Sequence, residues 1–220
     1  MPYDVEALWR VKIGHFLKRG IPIRGVIHVG ANDGYEIDWY LKLGIKNIFA
    51  VEPENESFRK LAQKFQATPG VFLSHVALGD TMGREILKVP SQGTGGSTFL
   101  VELHNSPSVT GVTHDYSESQ EITMTTFRAL LPLFYDLIKV EDYNCLVVDV
   151  QGMELQVLKG FGPHLEKMDC LNIECSEVPI YDGEAPASEV VAWLGERGFE
   201  AISPIEPHND ILFVRRQLNG

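Results

Sequence analysis

Four things are missing from this sequence: a run of five or more Lys/Arg residues, a CxxC pair, an apolar run of membrane-spanning length, and any internal repeat. Each absence closes a class. With 30 acidic against 19 basic residues and a net charge of −11, the chain offers no basic stripe for a phosphate backbone, so nucleic acid is not an expected partner. A membrane span needs about 20 consecutive apolar residues, so none is expected. The opening residues, Met-Pro-Tyr-Asp-Val-Glu, hold neither a basic nor an apolar leader segment, and no secretory signal is read there. The three cysteines, Cys145, Cys170 and Cys175, are unpaired in spacing. They read as buried thiols, which fits a reducing cytoplasm.

What is present is an ordinary globular composition. The 220 residues are 44% hydrophobic and 22% charged, enough for one large domain with a full core. Residues 4–19 read as an amphipathic helix with Val5, Leu8, Trp9, Ile13, Phe16 and Leu17 on one face. Apolar strands follow at 24–29, 47–51 and 71–78, separated by helices at the Ile37–Leu41 stretch and at 55–66. That alternation specifies a parallel sheet with helices on both faces. Between 84 and 126 the rhythm breaks: strands at Arg84–Val89 and Glu121–Thr126 flank a long Gly/Ser/Thr/His-rich stretch. This is read as an insertion that shapes the active site, with a surface loop as the competing reading. The rhythm resumes with a helix at Phe127–Tyr135, a strand at Cys145–Val150, a helix at Gly152–Lys159 with Gly160 just past its end, a strand at Leu171–Cys175 and a helix at Ser188–Arg197. Two last strands, Glu200–Ser203 and Asp210–Arg215, read as an edge hairpin. The expected fold is a single α/β domain with a Rossmann-like sheet of about seven strands.

Chemistry is concentrated at strand ends. Val26-Ile-His-Val-Gly-Ala-Asn-Asp-Gly34 is a strand running into a glycine turn, and Ala50-Val51-Glu52-Pro53 is a strand ending on an acid. Glycines admit a close ligand, and an acid at the second strand end accepts hydrogen bonds from ribose hydroxyls. The turn lacks the third glycine that seats a dinucleotide pyrophosphate, which favours a cofactor without phosphates, S-adenosylmethionine (SAM). Asp149, Gln151 and Glu154 form a second group at a buried strand end. Asp149 is a candidate general base, while Glu154 reads either as catalytic or as a favourable charge at a helix N-terminus. Glu174 ends the next strand, either in the same crevice or in a structural hydrogen bond. No ligand spacing supports a metal among these acids. His104 and His114, in the insertion, and Gln151 are candidates for the acceptor side.

Taken together these motifs resemble the FkbM family of SAM-dependent methyltransferases. The resemblance rests on His28–Gly34, Val51-Glu52-Pro53, Val76-Ala77-Leu78-Gly79-Asp80, Asp149–Glu154 with Leu158-Lys159-Gly160, and Asn172–Ser176 through Val178, Tyr181 and Gly183. It implies O-methylation of a hydroxyl on a sugar, glycolipid or natural product, and an antiparallel last strand. It also implies that His28, Gly30, Ala31, Asn32, Gly34, Glu52, Pro53, Ala77, Leu78, Asp80 and Asp149 contact the cofactor. Asp149, Glu174 and Glu154 would then serve the transfer. Three departures stand out: His28 replaces an aspartate, Gln151 replaces a glutamate, and Val147 or Val148 stands where a lysine often precedes the aspartate. A nicotinamide-dependent oxidoreductase and a non-catalytic SAM- or nucleoside-binding module are the alternatives. The acceptor's identity is open, and a homodimer is compatible with the sequence.

Overall fold

The computed structural model describes residues 5–90, 97–102, 116, 118–205 and 208–216. In chain order the elements are α1 (Val5–Leu17), β1 (Gly25–Val29), α2 (Tyr35–Lys42), β2 (Asn47–Val51), α3 (Asn55–Phe65), β3 (Val71–Ser74), β4 (Ala77–Leu78), β5 (Gly83–Val89), β6 (Val101–Glu102), β7 (Glu118–Thr125), α4 (Phe127–Leu130), β8 (Cys145–Val148), α5 (Glu154–Phe161), β9 (Cys170–Ser176), β10 (Tyr181–Asp182), α6 (Ala187–Glu196), β11 (Phe199–Ala201) and β12 (His208–Arg215).

Seven strands form the main sheet in the order β11-β12-β9-β8-β1-β2-β3. From β3 to β9 the pairings are parallel. The last strand, β12, inserts antiparallel between β9 and β11. The fold is therefore the Rossmann-like, mostly parallel sheet with an antiparallel last strand. Strands covered on both faces must be apolar throughout, and every residue of β1 and β8 is buried. Alternate side chains feed two cores. Ile27, Val29, Phe49, Leu146 and Val148 pack with Phe127, Leu158 and Phe161 of α4 and α5. Val26, Ile48, Ala50 and Val147 pack with Trp9, Ile37, Tyr40 and Leu61 of α1, α2 and α3. Within α1, Trp9 and Phe16 are buried as its periodicity requires, but Leu17 is 55% exposed because the helix ends there.

The structure departs from the sequence reading in three places. The third strand does not run through 71–78: it leaves the main sheet after Ser74, and Ala77–Leu78 pairs with β7 in a separate three-stranded sheet, β4-β7-β5. The helix beginning at Phe127 is α-helical only to Leu130 and tightens to a 3₁₀ turn over Leu131–Phe134, where Pro132 removes an amide donor. Gly160 lies inside α5 rather than beyond it, and Gly162 ends the helix. A Cβ on Gly160 would overlap the Gly79 carbonyl oxygen. The glycine is there so that α5 can approach the end of β4 closely.

Candidate active site

The crevice forms where the strand order reverses, between β1 and β8, which is where open α/β sheets bind ligands. β1, β2 and β8 end level, with Val29 opposite both Val51 and Val148. The chain reversals beyond them are tied together. The Gly30 and Ala31 amides both donate to the Val51 carbonyl oxygen, at 2.9 and 3.1 Å, and the Asp149 amide donates to that of Val29 at 3.0 Å. Gly30 has a φ of 84° and faces the Asp149 carbonyl so closely that a Cβ would overlap it.

Glu52 follows β2 directly. Its Oε2 accepts from the Asn32 amide at 2.7 Å and its Oε1 from the Glu54 amide at 2.8 Å. The residue is 6% exposed. Burial pushes its carboxyl up to about 7, against the pull of those two amides. Each carboxylate oxygen has a second lone pair, so the acid is oriented by backbone and still able to accept from a ligand hydroxyl. Asn32, at a φ of 48°, is held by the Ser57 hydroxyl donating to its Oδ1.

A second cluster lies across the crevice. Val148 stands opposite Ile173, so Asp149 and Glu174 follow side by side on neighbouring strands. The Gln151 side-chain amide donates to Asp149 Oδ1 at 2.9 Å and to Glu174 Oε2 at 2.8 Å, while the Tyr181 hydroxyl donates to Gln151 Oε1 at 3.1 Å. The Gln151 amide thus bridges the two acids, and the charge of Glu174 acts on Asp149. Burial, then the charge of Glu174, raises the Asp149 carboxyl well above the usual range, and burial pushes Glu174 up to about 7. The two carboxyls are coupled and titrate as a pair. A glutamate at position 151 would have no donor for either acid; the glutamine amide serves both.

The residues expected at the site separate into three groups. Gly30, Asn32, Glu52, Pro53, Ala77, Leu78, Asp149 and Gln151 line one cleft, which encloses about 910 Å³ of space including the part open to solvent. Six other expected residues do not line it. His28 faces α1 and α2, where the Tyr40 hydroxyl lies 3.1 Å from its Nδ1. Ala31 is buried in the core beneath those helices. Gly34 caps α2 and packs against Leu61 and Phe65. Asp80 is exposed. Glu154 turns back into its own turn, where Oε1 accepts from the amides of Val150 and Gly152; burial pushes it up to about 7. It clasps the 149–152 turn and does not face the cleft. Glu174 reaches the site through Gln151 and Asp149. His104 and His114 lie outside the described residues.

Sequence reasoning missed Glu36, Phe99 and Met153, which also line the cleft. Phe99 arrives from the 84–126 segment, where buried Thr98 donates its hydroxyl to the Gln151 carbonyl oxygen at 2.8 Å and exchanges backbone hydrogen bonds with Lys88. Glu36 gave a signal that was readable but not used: an acid in the first turn of the helix that follows the glycine turn.

The cleft's electrostatics select its ligand. Glu36, Glu52 and Asp149 line it, and no lysine or arginine does so among the described residues. A pyrophosphate would meet three carboxylates there and no basic side chain among the described residues. A ligand carrying sulfonium and ammonium charges beside a ribose fits the donor set, with Glu52 placed for the hydroxyls and Gly30 allowing close approach.

The methyltransferase FkbM domain model matches residues 28–201. The chain is similar to the 2-O-methyltransferase NoeI of Sinorhizobium fredii, at 26% identity over 200 residues, 88% of this chain and 80% of that protein. It is also similar to the hexuronic acid methyltransferase AglP of Haloferax volcanii, at 25% identity over 173 residues; that match takes in 78% of this chain and 62% of AglP. Among solved structures, magnesium protoporphyrin IX methyltransferase (ChlM) from Synechocystis PCC 6803 with bound SAM superposes with a TM-score of 0.49 at 10% identity, covering 96% of this chain and 79% of that one. The family match spans most of the sheet and every strand end that lines the cleft, and by it the chain belongs to the FkbM family of SAM-dependent methyltransferases.

Proposed function

We propose that the protein methylates a hydroxyl oxygen of a small sugar-type acceptor. The observation that carries this reading is the Asp149–Glu174 pair, two half-buried carboxyls bridged by the Gln151 amide at the edge of a cleft that no lysine or arginine lines among the described residues. The two relatives are named for 2-O-methylation and for methylation of a hexuronic acid, which supports a sugar hydroxyl.

SAM supplies a methyl group already activated on sulfur. The protein's tasks are therefore alignment and proton removal. Glu52 and the Gly30–Asn32 turn hold the nucleoside, while Ala77, Leu78 and Phe99 provide apolar walls. Gln151, fixed by Tyr181, aims the carboxyl pair. As the acceptor oxygen bonds to the methyl carbon and the carbon–sulfur bond breaks, the electron pair of that bond stays on sulfur. The hydroxyl proton passes to the ionised member of the pair. Raised by burial toward neutrality, the pair combines readiness to accept a proton with a usable ionised fraction near pH 7. Residues 84–126 are assigned to acceptor choice, because Leu87, Ser97 and Phe99 line the cleft. The three cysteines are free and buried, which supports a reducing compartment, the cytoplasm.

The test is turnover of a methyl-labelled donor against a panel of free sugars, uronic acids and glycolipids. Label transfer to a hydroxyl of one class supports the reading. Transfer only to nitrogen or carbon acceptors contradicts it.

A further inference from the structure

This inference rests on the cofactor reading above and adds a residue to it. The resemblance implies an acid in β1 where this chain has His28, and His28 points away from the cleft. Its ring is 1% exposed. The Tyr40 hydroxyl lies 3.1 Å from Nδ1 and hydrogen-bonds to it. Nε2 is 3.3 Å from Glu36 Oε2 without a hydrogen bond to it, which leaves a buried polar atom short of a partner. The other Glu36 oxygen, Oε1, accepts from the buried Trp9 indole at 3.2 Å. The His28 ring from β1 and the Trp9 indole from α1 therefore flank one carboxylate from α2.

That carboxylate is 30% exposed and lines the cleft. Its charge is felt by both Asp149 and Glu174. Glu36 and Glu52 line the same cleft. With Glu52 on the ribose, Glu36 would be left to meet the amino-acid portion of the cofactor. No lysine or arginine among the described residues lines the cleft to balance Glu36; a ligand cation would.

We propose that Glu36 is the carboxylate that receives the ammonium group of SAM's amino-acid portion, aimed by Trp9. The histidine then marks a transfer of the acidic role from β1 to the first turn of α2. It also gives α1 a part in cofactor binding, through Trp9.

The experiment compares two ligands by calorimetry: S-adenosylhomocysteine, which keeps the amino-acid portion, and methylthioadenosine, which lacks it. For Glu36→Gln we expect the dissociation constant of S-adenosylhomocysteine to rise about 10- to 100-fold, with methylthioadenosine unchanged within about twofold. Unchanged methylthioadenosine binding also shows that the variant is folded. Trp9→Phe removes the aiming donor and gives the same selective loss at about two- to fivefold. Equal losses for both ligands, or no loss for S-adenosylhomocysteine, overturn the assignment of Glu36. If the wild type binds neither ligand, the cofactor reading falls and the assignment with it.

Discussion

Gly30 and Asp149 meet backbone to backbone: there is no room for a Cβ on the glycine beside the aspartate's carbonyl oxygen. The contact links the two halves of the site, because the turn that carries Asn32 toward Glu52 is the same turn that rests on the start of the 149–152 turn. At a φ of 84°, position 30 also resists any residue with a side chain.

Gly30→Ala should therefore lose stability and binding together. Overpacking against fixed backbone, with strain at positive φ, costs about 3 kcal/mol, or a fall in Tm of about 6–12 °C for a domain of this size. Thermal unfolding of the purified variant checks this. A shift under about 2 °C would mean that the two turns can part without cost.

The Asp149–Glu174 pair gives a kinetic expectation. Asp149→Asn keeps the shape and removes the ionisable oxygen, so kcat should fall about 10²- to 10⁴-fold while S-adenosylhomocysteine binding changes little. The measurement is steady-state turnover with the acceptor found in the panel, beside calorimetry on the same preparation. Near-normal kcat would remove the pair from proton transfer.

The same pair makes stability depend on pH, with a definite sign. Glu174 titrates in the unfolded chain near the ordinary glutamate value of about 4.3, and burial pushes it up to about 7 in the folded protein. Between those values the folded state binds more protons than the unfolded state, so stability falls as pH rises through the window. Glu52 and Glu154, also pushed up to about 7 by burial, act in the same direction. His28, lowered by burial, acts oppositely: its stabilisation is lost as pH falls below the unfolded histidine value of about 6.5. In Glu174→Gln the decline of Tm from about pH 5 to 8 should be visibly flatter than in the wild type, since both Glu174 and the raised partner Asp149 are relieved. Parallel Tm–pH curves would show that the two carboxyls are not coupled.

Much of this was legible because it lies in local pattern. The apolar runs of β1, β2 and β8 have no other stable home than a sheet covered on both faces, and an acid directly after such a run, as at Glu52 and Asp149, has to lie at its mouth. Other features depend on contacts distant in sequence. Val71–Leu78 reads as one strand because its apolar residues continue, yet β4 is captured by β7, more than forty residues downstream. Gly160 looks like a helix stop, but its reason is the Gly79 carbonyl. Glu154 carries a catalytic-looking acid in a catalytic-looking motif, and only the two amides at its Oε1 show that it clasps the turn. Glu36 needed Trp9 in place before its orientation meant anything.

The central claim is that the crevice binds SAM with Glu52 on the ribose, and calorimetric titration with S-adenosylhomocysteine tests it most directly. The wild type should bind, and Glu52→Gln should weaken binding about 10- to 100-fold, the value of hydrogen bonds to a charged acceptor. No heat of binding with the wild type, or full affinity in Glu52→Gln, would contradict it.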